Sequence, residues 1–279
     1  GVVVQNPVIS CPDYVPDLMK SDVMDVVIRN NRLTVHDQVF TVKKGKAILD
    51  LELVMDRWFL DYLKLWIKTP TGVTVPAKVN ISSNPGSNSG LTVLVEGNST
   101  CDLDMTITTT AFDLKGTFFT EDLEINIITD VLGLQKKQNN DVIYTNPNKD
   151  YSVTLDMELT TGQHVELIYD PLLRGLIAPN TNVKFTFDSI TQDVTIISDV
   201  VLRGGEVTYL NRNFYIREGR IIFSEINSLD PLITIRAEIR EQDVNGEPVR
   251  ITMSAENQRL SDFNPTYTSS PPKSEIEIM

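Results

Sequence analysis

Apolar and polar residues alternate with a period of two along most of this chain. The alternation is clear in residues 49–53, 103–107, 153–159 and 233–239, where Asp, Glu, Lys and Thr separate Leu, Ile, Val and Met. Successive side chains of a β-strand point to opposite faces, so this pattern is typical of strands with one apolar and one polar face. The sequence therefore predicts an all-β chain.

Short glycine-containing pairs separate many of these alternating runs. Glycine, or asparagine beside it, supplies the positive φ that tight turns require, so neighbouring strands are predicted to form an antiparallel meander. The predicted turns are Lys44-Gly45, Thr71-Gly72, Gly97-Asn98, Thr161-Gly162, Glu218-Gly219 and Asn245-Gly246.

Three stretches depart from the alternation and suggest how the chain is divided. Residues 1–30 contain three prolines and are predicted to be partly irregular, with residues 21–31 forming a short helix or an irregular strand. Residues 82–90 are predicted to be a polar loop, and residues 130–150 a long loop or linker. The linker separates a β-rich amino-terminal half, 1–129, from a carboxy-terminal half, 151–279.

Composition and charge exclude several classes of protein. The net charge of −13 and the absence of long basic runs argue against a nucleic-acid partner. No run of about 18 apolar residues predicts a membrane-spanning helix. The first residues lack the pattern of a signal peptide, so any targeting segment is expected to lie outside this chain. Cys11 and Cys101 are too few for a disulfide scaffold, although they leave one bridge open.

The sequence carries no recognisable catalytic or metal-binding motif. His36 and His164 are the only histidines, and neither belongs to a metal-spaced pair. Residues 86–90 resemble a nucleophile elbow, but Asn88 stands where the nucleophilic serine would be. We therefore predict a protein that is not an enzyme and that has no cofactor and no metal.

The large apolar face raises the question of what covers it. No amphipathic helix of 12 or more residues is present to do so. The sheet must close into a barrel, pack against a second sheet, or bury its apolar side against something else. Residue patterns alone favour a closed sandwich or barrel over an open curved sheet that binds a ligand.

The carboxy-terminal half adds a resemblance to a known family. A glycine-started hairpin, an aromatic strand containing Glu-Gly-Arg-Ile, a Pro-Leu strand ending in alanine and a late Ser-Pro-Pro follow one another in 151–279. Their order and spacing resemble the carboxy-terminal domain of the TamB family, whereas residues 1–128 share only its style of alternating strands. The segments are Gly204–Tyr209, Asn213–Phe223, Asp230–Ala237 and Ser270–Ile276.

The resemblance implies a fold, a location and a function. TamB-like proteins present an open, curved, U-shaped sheet (a β-taco) with an apolar groove. They extend through the periplasm of diderm bacteria from an inner-membrane anchor, which would lie outside this chain. They associate with an outer-membrane barrel of the TamA or BamA type. The implied function is carriage of phospholipid acyl chains toward the outer membrane, with a role in translocation and assembly of outer-membrane proteins. The family's terminal strands are expected to be missing here.

The apolar strand positions of the carboxy-terminal half are the predicted groove residues. An ordinary place in a protein core is the alternative for each of them. They are Val153, Leu155, Met157, Leu159, Phe185, Phe187, Ile196, Phe214, Ile216, Ile221, Phe223, Ile233, Ile235, Ile251 and Met253.

Two other functions stay open at this point. One is a β-sandwich that acts as a binding or adhesion module, which requires a filled interior. The other is an assembly chaperone that donates strand edges to nascent barrel proteins without carrying lipid.

Overall fold

Eighteen β-strands form one hydrogen-bonded sheet in the computed structural model, which describes residues 1–12, 15–82, 91–129, 151–191, 193–224, 230–243 and 245–273. A single 3₁₀ turn, Leu260–Asp262, is the one helical element in these ranges. The strands are β1 (Val2–Gln5), β2 (Val8–Cys11), β3 (Val15–Lys20), β4 (Val23–Arg29), β5 (Arg32–Val42), β6 (Gly45–Asp56), β7 (Phe59–Lys68), β8 (Val75–Ser82), β9 (Leu91–Thr108), β10 (Ala111–Thr129), β11 (Ser152–Tyr169), β12 (Leu173–Ile177), β13 (Asn182–Asp188), β14 (Asp193–Tyr209), β15 (Arg212–Phe223), β16 (Leu232–Gln242), β17 (Pro248–Arg259) and β18 (Thr266–Ser270).

The pairing of the strands confirms the predicted all-β, mainly antiparallel sheet. Antiparallel pairs connect β4 through β7, join β7 to β9 and β9 to β10, and connect β14 through β18. Strands β10 and β11 pair in parallel, from Ala111 opposite Ser152 to Asn126 opposite Ile168. This pairing joins strands from both sides of residues 130–150 into one sheet. The division of the chain at 130–150 stays a prediction, because those residues lie outside the described ranges.

Two positions in the sheet are each occupied by two short strands that lie end to end. β7 and β8 lie end to end against β9, and residues 69–74 separate them. β12 and β13 lie end to end between β11 and β14, and residues 178–181 separate them. The interruptions allow long neighbouring strands to bend while they keep most of their hydrogen bonds.

Three of the predicted turns are wrong. Gly97, Gly162 and Gly219 lie inside β9, β11 and β15. A Cβ atom on Gly97 would lie 2.3 Å from the carbonyl oxygen of Asp122, and one on Gly162 would lie 2.7 Å from that of Thr120. Glycine is therefore needed at these two sites for the close approach of a neighbouring backbone, and no change of chain direction is involved.

The other three predicted turns have different outcomes. Asn245-Gly246 lies between β16 and β17, and Gly246 has a φ of 84°. Lys44-Gly45 lies where β5 connects to β6. Thr71-Gly72 lies in the interruption between β7 and β8, so it does not reverse the chain between paired strands.

Several hairpin turns contain no glycine and were not predicted from the sequence. Asn30-Asn31, Arg57-Trp58 and Leu210-Asn211 each have two consecutive residues with positive φ. This is the backbone of a type I′ turn, whose twist matches that of the flanking strands. Asparagine tolerates this conformation, whereas Arg57, Trp58 and Leu210 adopt it against their usual preference because the strand twist requires it.

The amino-terminal residues form strands. β4 covers most of residues 21–31, so the strand alternative of the sequence analysis is correct and the helix is not formed. Most of the predicted loop at 82–90 lies outside the described residues.

One end of the sheet curls into a packed region, the C-terminal core. The rings of Phe214 on β15 and Tyr267 on β18 lie 6.1 Å apart. Strands three positions apart in a flat sheet would be about 14 Å apart. The sheet from β14 to β18 is therefore strongly curved, with its apolar side inward. The buried residues are Leu123, Ile125, Val165, Leu167, Tyr169, Ile177, Val200, Leu202, Val207, Phe214, Ile216, Ile221, Ile233, Ile235, Ala237, Val249, Ile251, Met253, Ala255 and Leu260.

A smaller N-terminal core forms where β3 packs against β8. Cys101 lies in this core as a free thiol, so the bridge that the sequence left open is not formed. Burial, together with the nearby Asp102 carboxylate, raises the pKa of Cys101 to about 11. The buried residues of this core are Met19, Val26, Val35, Phe40, Val42, Leu49, Val75 and Cys101.

A line of hydroxyl side chains crosses the sheet beside the C-terminal core. This hydroxyl row consists of Ser99, Thr120, Thr161, Thr181 and Ser198, all of them buried. Thr120 pairs with both Ser99 and Thr161 across neighbouring strands, and the register of β10 shifts directly after it. The hydroxyls of Thr120 and Ser198 donate hydrogen bonds to backbone carbonyls. Because these hydroxyls have partners, polar groups can lie on an otherwise apolar side of the sheet.

Replacing Thr161 by valine is expected to destabilise the protein by about 1–3 kcal/mol. The Thr161 hydroxyl donates to the Ala178 carbonyl oxygen at 2.8 Å and accepts from the Thr181 amide at 3.0 Å. Valine keeps the shape but leaves both buried backbone groups without this partner. The free energy of unfolding in urea measures the effect. Thr160→Val, on the opposite side of the same strand, is the control, and equal losses in both variants would contradict the assigned role.

Candidate functional site

An apolar surface with half-buried side chains lies on the same side of the sheet as the two cores. We call it the open face. It belongs to neither core and extends over β6, β7, β9, β10, β11, β13 and β14. Its residues are Leu53, Leu63, Met105, Ile107, Phe112, Leu114, Val153, Leu155, Met157, Phe185, Phe187, Val194 and Ile196.

The side chains of the open face are ordered in rows that run across the strands. One row follows direct pairings from Met105 to Leu114, Leu155, Phe187 and Val194. A second row runs beside it and follows direct pairings from Leu53 to Leu63, Ile107, Phe112 and Val153. Seven strands spaced by about 4.8 Å give the open face a length of about 29 Å across the strands. The rows form a continuous apolar path of that length.

The opposite side of the same strands is polar and carries paired charges. Lys68 lies 3.1 Å from Asp102, and Lys184 lies 3.7 Å from Asp156. Such exposed pairs contribute little to stability. They show that one side of the sheet is suited to water and the other is not.

The side chains of the open face are half-buried and belong to neither core of the described residues. All eighteen strands belong to one sheet, and the 3₁₀ turn Leu260–Asp262 packs at the C-terminal core. Within the ranges that the structure describes, no helix has the length and apolar character needed to cross a membrane.

The fifteen predicted groove residues fall into three sets. Six of them, Val153, Leu155, Met157, Phe185, Phe187 and Ile196, belong to the open face. Seven of them, Phe214, Ile216, Ile221, Ile233, Ile235, Ile251 and Met253, are buried in the C-terminal core. Leu159 and Phe223 are half-buried and pack against that core. The structure thus brings together six predicted residues with partial exposure and encloses seven others.

Seven residues of the open face were not predicted as groove residues. They are Leu53, Leu63, Met105, Ile107, Phe112, Leu114 and Val194. Six of these lie before residue 130, and the β10–β11 pairing places them beside the predicted set. The signal that could have found most of them is the alternation in residues 49–53, 63–67 and 103–107, which has the same period as that of β11.

The titratable side chains of the described ranges do not assemble a metal-binding group. Among the described residues, no group of three His, Cys, Asp or Glu side chains could hold a metal ion. His36 lies on the surface with its Nδ1 atom 3.5 Å from an Asp50 carboxylate oxygen. Burial raises the pKa of Tyr169 above its ordinary value, and its side chain is enclosed in the C-terminal core. What the open face offers a ligand is apolar contact.

Fold and site together define a one-sheet β protein with a polar side and a half-exposed apolar side. The sequence model of a family described as "TamB C-terminal domain" matches residues 73–279, and the chain belongs to that family. The match begins well before residue 151, where the resemblance in the sequence becomes specific. No curated protein matches the chain. The family is a transport and assembly module of the cell envelope and is not known as an enzyme family.

Proposed function

We propose that the open face binds phospholipid acyl chains and forms part of a lipid conduit directed toward the outer membrane. The observation that supports this most is the unbroken set of half-buried apolar rows across seven strands. A folded protein seldom leaves so extensive an apolar surface without a binding function.

The size of the open face is suited to acyl chains. Its length of about 29 Å compares with about 30 Å for the hydrocarbon core of a whole bilayer, which contains two leaflets. A chain from one leaflet can therefore lie along the rows with its full length in apolar contact. Each methylene that leaves water in this way contributes about 0.8 kcal/mol. Neither a catalytic group nor a cofactor is required for such binding.

The family supports a proposal for the surroundings of the conduit. The polar outer side and the net charge of −13 suit an aqueous compartment, and we assign the chain to the periplasm of a diderm bacterium. Its inner-membrane anchor would lie outside this chain. An outer-membrane barrel of the TamA or BamA type is the proposed protein partner, in keeping with the family. The protein would thereby take part in outer-membrane biogenesis and in the assembly of secreted and outer-membrane proteins.

A strand-donating role in assembly is a second candidate, supported by the edge of the sheet. Among the described residues, the only strand that pairs with β18 is β17. The edge of β18 that faces away from β17 can accept a further strand by β-augmentation. A proline at Thr268 would impair this role without changing the open face. The β-sandwich alternative required two packed sheets, whereas the described strands form one.

Mass spectrometry of the protein purified from native membranes tests the proposed lipid binding. We expect phospholipid to remain bound after mild detergent extraction and to be displaced by added fatty acid. Protein that carries no phospholipid, and that binds none when mixed with phospholipid in detergent, would refute the conduit.

A further inference from the structure

The turn between β6 and β7 exposes two aromatic side chains to an unusual extent. Trp58 is 91% exposed and Phe59 is 77% exposed. Arg57 and Trp58 have φ values of 45° and 74°, so a tight turn projects these side chains from the end of the hairpin. We call Arg57, Trp58 and Phe59 the aromatic tip. Its exposure is fixed by a two-residue turn between paired strands and does not depend on a long loop.

Apolar pairs extend along the inner side of this hairpin nearly to the aromatic tip. Leu53 pairs with Leu63, and Met55 pairs with Leu60 one step nearer the turn. The first pair belongs to the open face, and Met55 and Leu60 are also half-buried. Apolar pairs therefore reach the residues next to the turn, whereas Phe59 pairs with Asp56 and lies on the other side of the hairpin.

Neighbouring turns reach the same end of the sheet and also expose apolar groups. The turn at Asn30-Asn31 follows Ile28, which is 55% exposed, and the turn after β13 contains Ile190, which is 54% exposed. The strand register places the turn at Asn30-Asn31 beside the aromatic tip, and the turn after β13 at the same end of the sheet but four strands from β7. They form an apolar rim at one end of the open face.

The charges at this rim differ from those of the chain as a whole. Arg29 and Arg57 flank the two neighbouring turns, and among the described residues neither forms an ion pair. Asp56 and Asp61 are the exposed acids beside the tip and balance Arg29 and Arg57 there, whereas Asp188 and Asp193 flank the turn after β13. Tryptophan and arginine together suit the headgroup region of a bilayer, where an aromatic ring and a cation both find favourable contacts.

We propose that the aromatic tip inserts into the headgroup region of a phospholipid bilayer and holds this end of the open face against the membrane. The bilayer is favoured over a protein groove because the exposed groups are spread over several turns at one rim. A membrane surface can contact all of them at once, and Arg29 and Arg57 complement its phosphates. The purpose of the contact rests on the proposed function, but its occurrence does not.

Tryptophan fluorescence gives a direct test, because Trp58 and Trp66 are the only tryptophans. In a Trp66→Phe variant, the emission reports Trp58 alone. We expect a blue shift with vesicles of phosphatidylethanolamine and phosphatidylglycerol, and quenching by brominated acyl chains. Combining Trp58→Ser with Phe59→Ser in the otherwise unchanged protein should weaken vesicle co-sedimentation by at least about tenfold.

Tyr215→Ser is the matched control, because Tyr215 is 58% exposed but lies within a strand, away from the rim. This variant should sediment with vesicles as the unchanged protein does. Unshifted Trp58 emission, or equal sedimentation of the double variant and the unchanged protein, would overturn the proposal. So would a shift that requires a purified outer-membrane barrel. Phospholipid retention by the double variant is measured separately. It tests lipid binding by the open face in a protein that lacks the aromatic tip, so the conduit hypothesis and the insertion hypothesis can fail independently.

Discussion

Replacing Phe187 by lysine is expected to reduce phospholipid retention by at least about tenfold while the sheet remains folded. Phe187 lies in the middle of an apolar row, between Leu155 and Val194. A lysine ammonium group placed there would have to lose water whenever an acyl chain occupied the row. Because Phe187 is half-buried, the change should cost the fold less than the roughly 1.5–3 kcal/mol of a fully buried side chain. Lipid mass spectrometry and circular dichroism measure the two effects separately.

Thr186→Lys is the control for this substitution. Thr186 precedes Phe187 on β13, on the polar side of the sheet, where it lies opposite Asp156 and Thr195. The variant therefore adds the same charge to the same strand, on its other side. We expect this variant to retain lipid fully. If both lysine variants lost lipid equally, net charge would explain the result, and the open face would not be the binding surface.

Replacing Phe214 by alanine is expected to destabilise the protein by about 3–5 kcal/mol. Phe214 is 2% exposed, and its ring lies 6.1 Å from that of Tyr267. The side chain fills the space between β15 and the curled edge of the sheet, and that space cannot collapse without moving β18. The loss includes both the apolar burial and the cavity that remains. Urea unfolding followed by far-ultraviolet circular dichroism measures it.

Tyr215→Ala is the comparison, because Tyr215 is the next residue on β15 and is 58% exposed on the other side of the sheet. Its removal should change the free energy of unfolding by no more than about 0.5 kcal/mol. Similar losses from Phe214→Ala and Tyr215→Ala would mean that the sheet is not closed over Phe214 in solution.

The sequence allowed the strand content and the two faces of each strand to be predicted. The alternation in β11, from Val153 to Leu159, is a local property. The polarity of each residue indicates the face of the strand on which its side chain lies. Turn positions were less predictable. Gly97 and Gly162 are needed for a neighbouring backbone, while Asn30-Asn31 and Arg57-Trp58 form turns because strand twist requires positive φ there. The glycines meet strands that are distant in the sequence, at Asp122 and Thr120, whereas the turns depend on the twist of the adjacent strands they connect.

The candidate site was predictable only in part for a similar reason. Alternation places Phe187 and Phe214 on the apolar side alike, but it carries no information on whether that side is covered. Phe214 is enclosed because β18 returns over β15, while Phe187 is only half-buried and belongs to neither core. The contribution of Phe112 and Leu114 depends on the pairing of β10 with β11, which no local pattern indicates.

The parallel pairing of β10 with β11 also has a consequence for how the molecule reaches its native state. It is the one parallel contact among the described strands, and it joins groups such as Asp113 and Thr154 that are 41 residues apart. Loop closure over that distance costs more entropy than closing a hairpin, and parallel strands gain their contacts late. The strands on either side can therefore begin to order by local hairpin formation, and this seam, with the similarly distant pairing of β7 and β9, is expected to form late in folding.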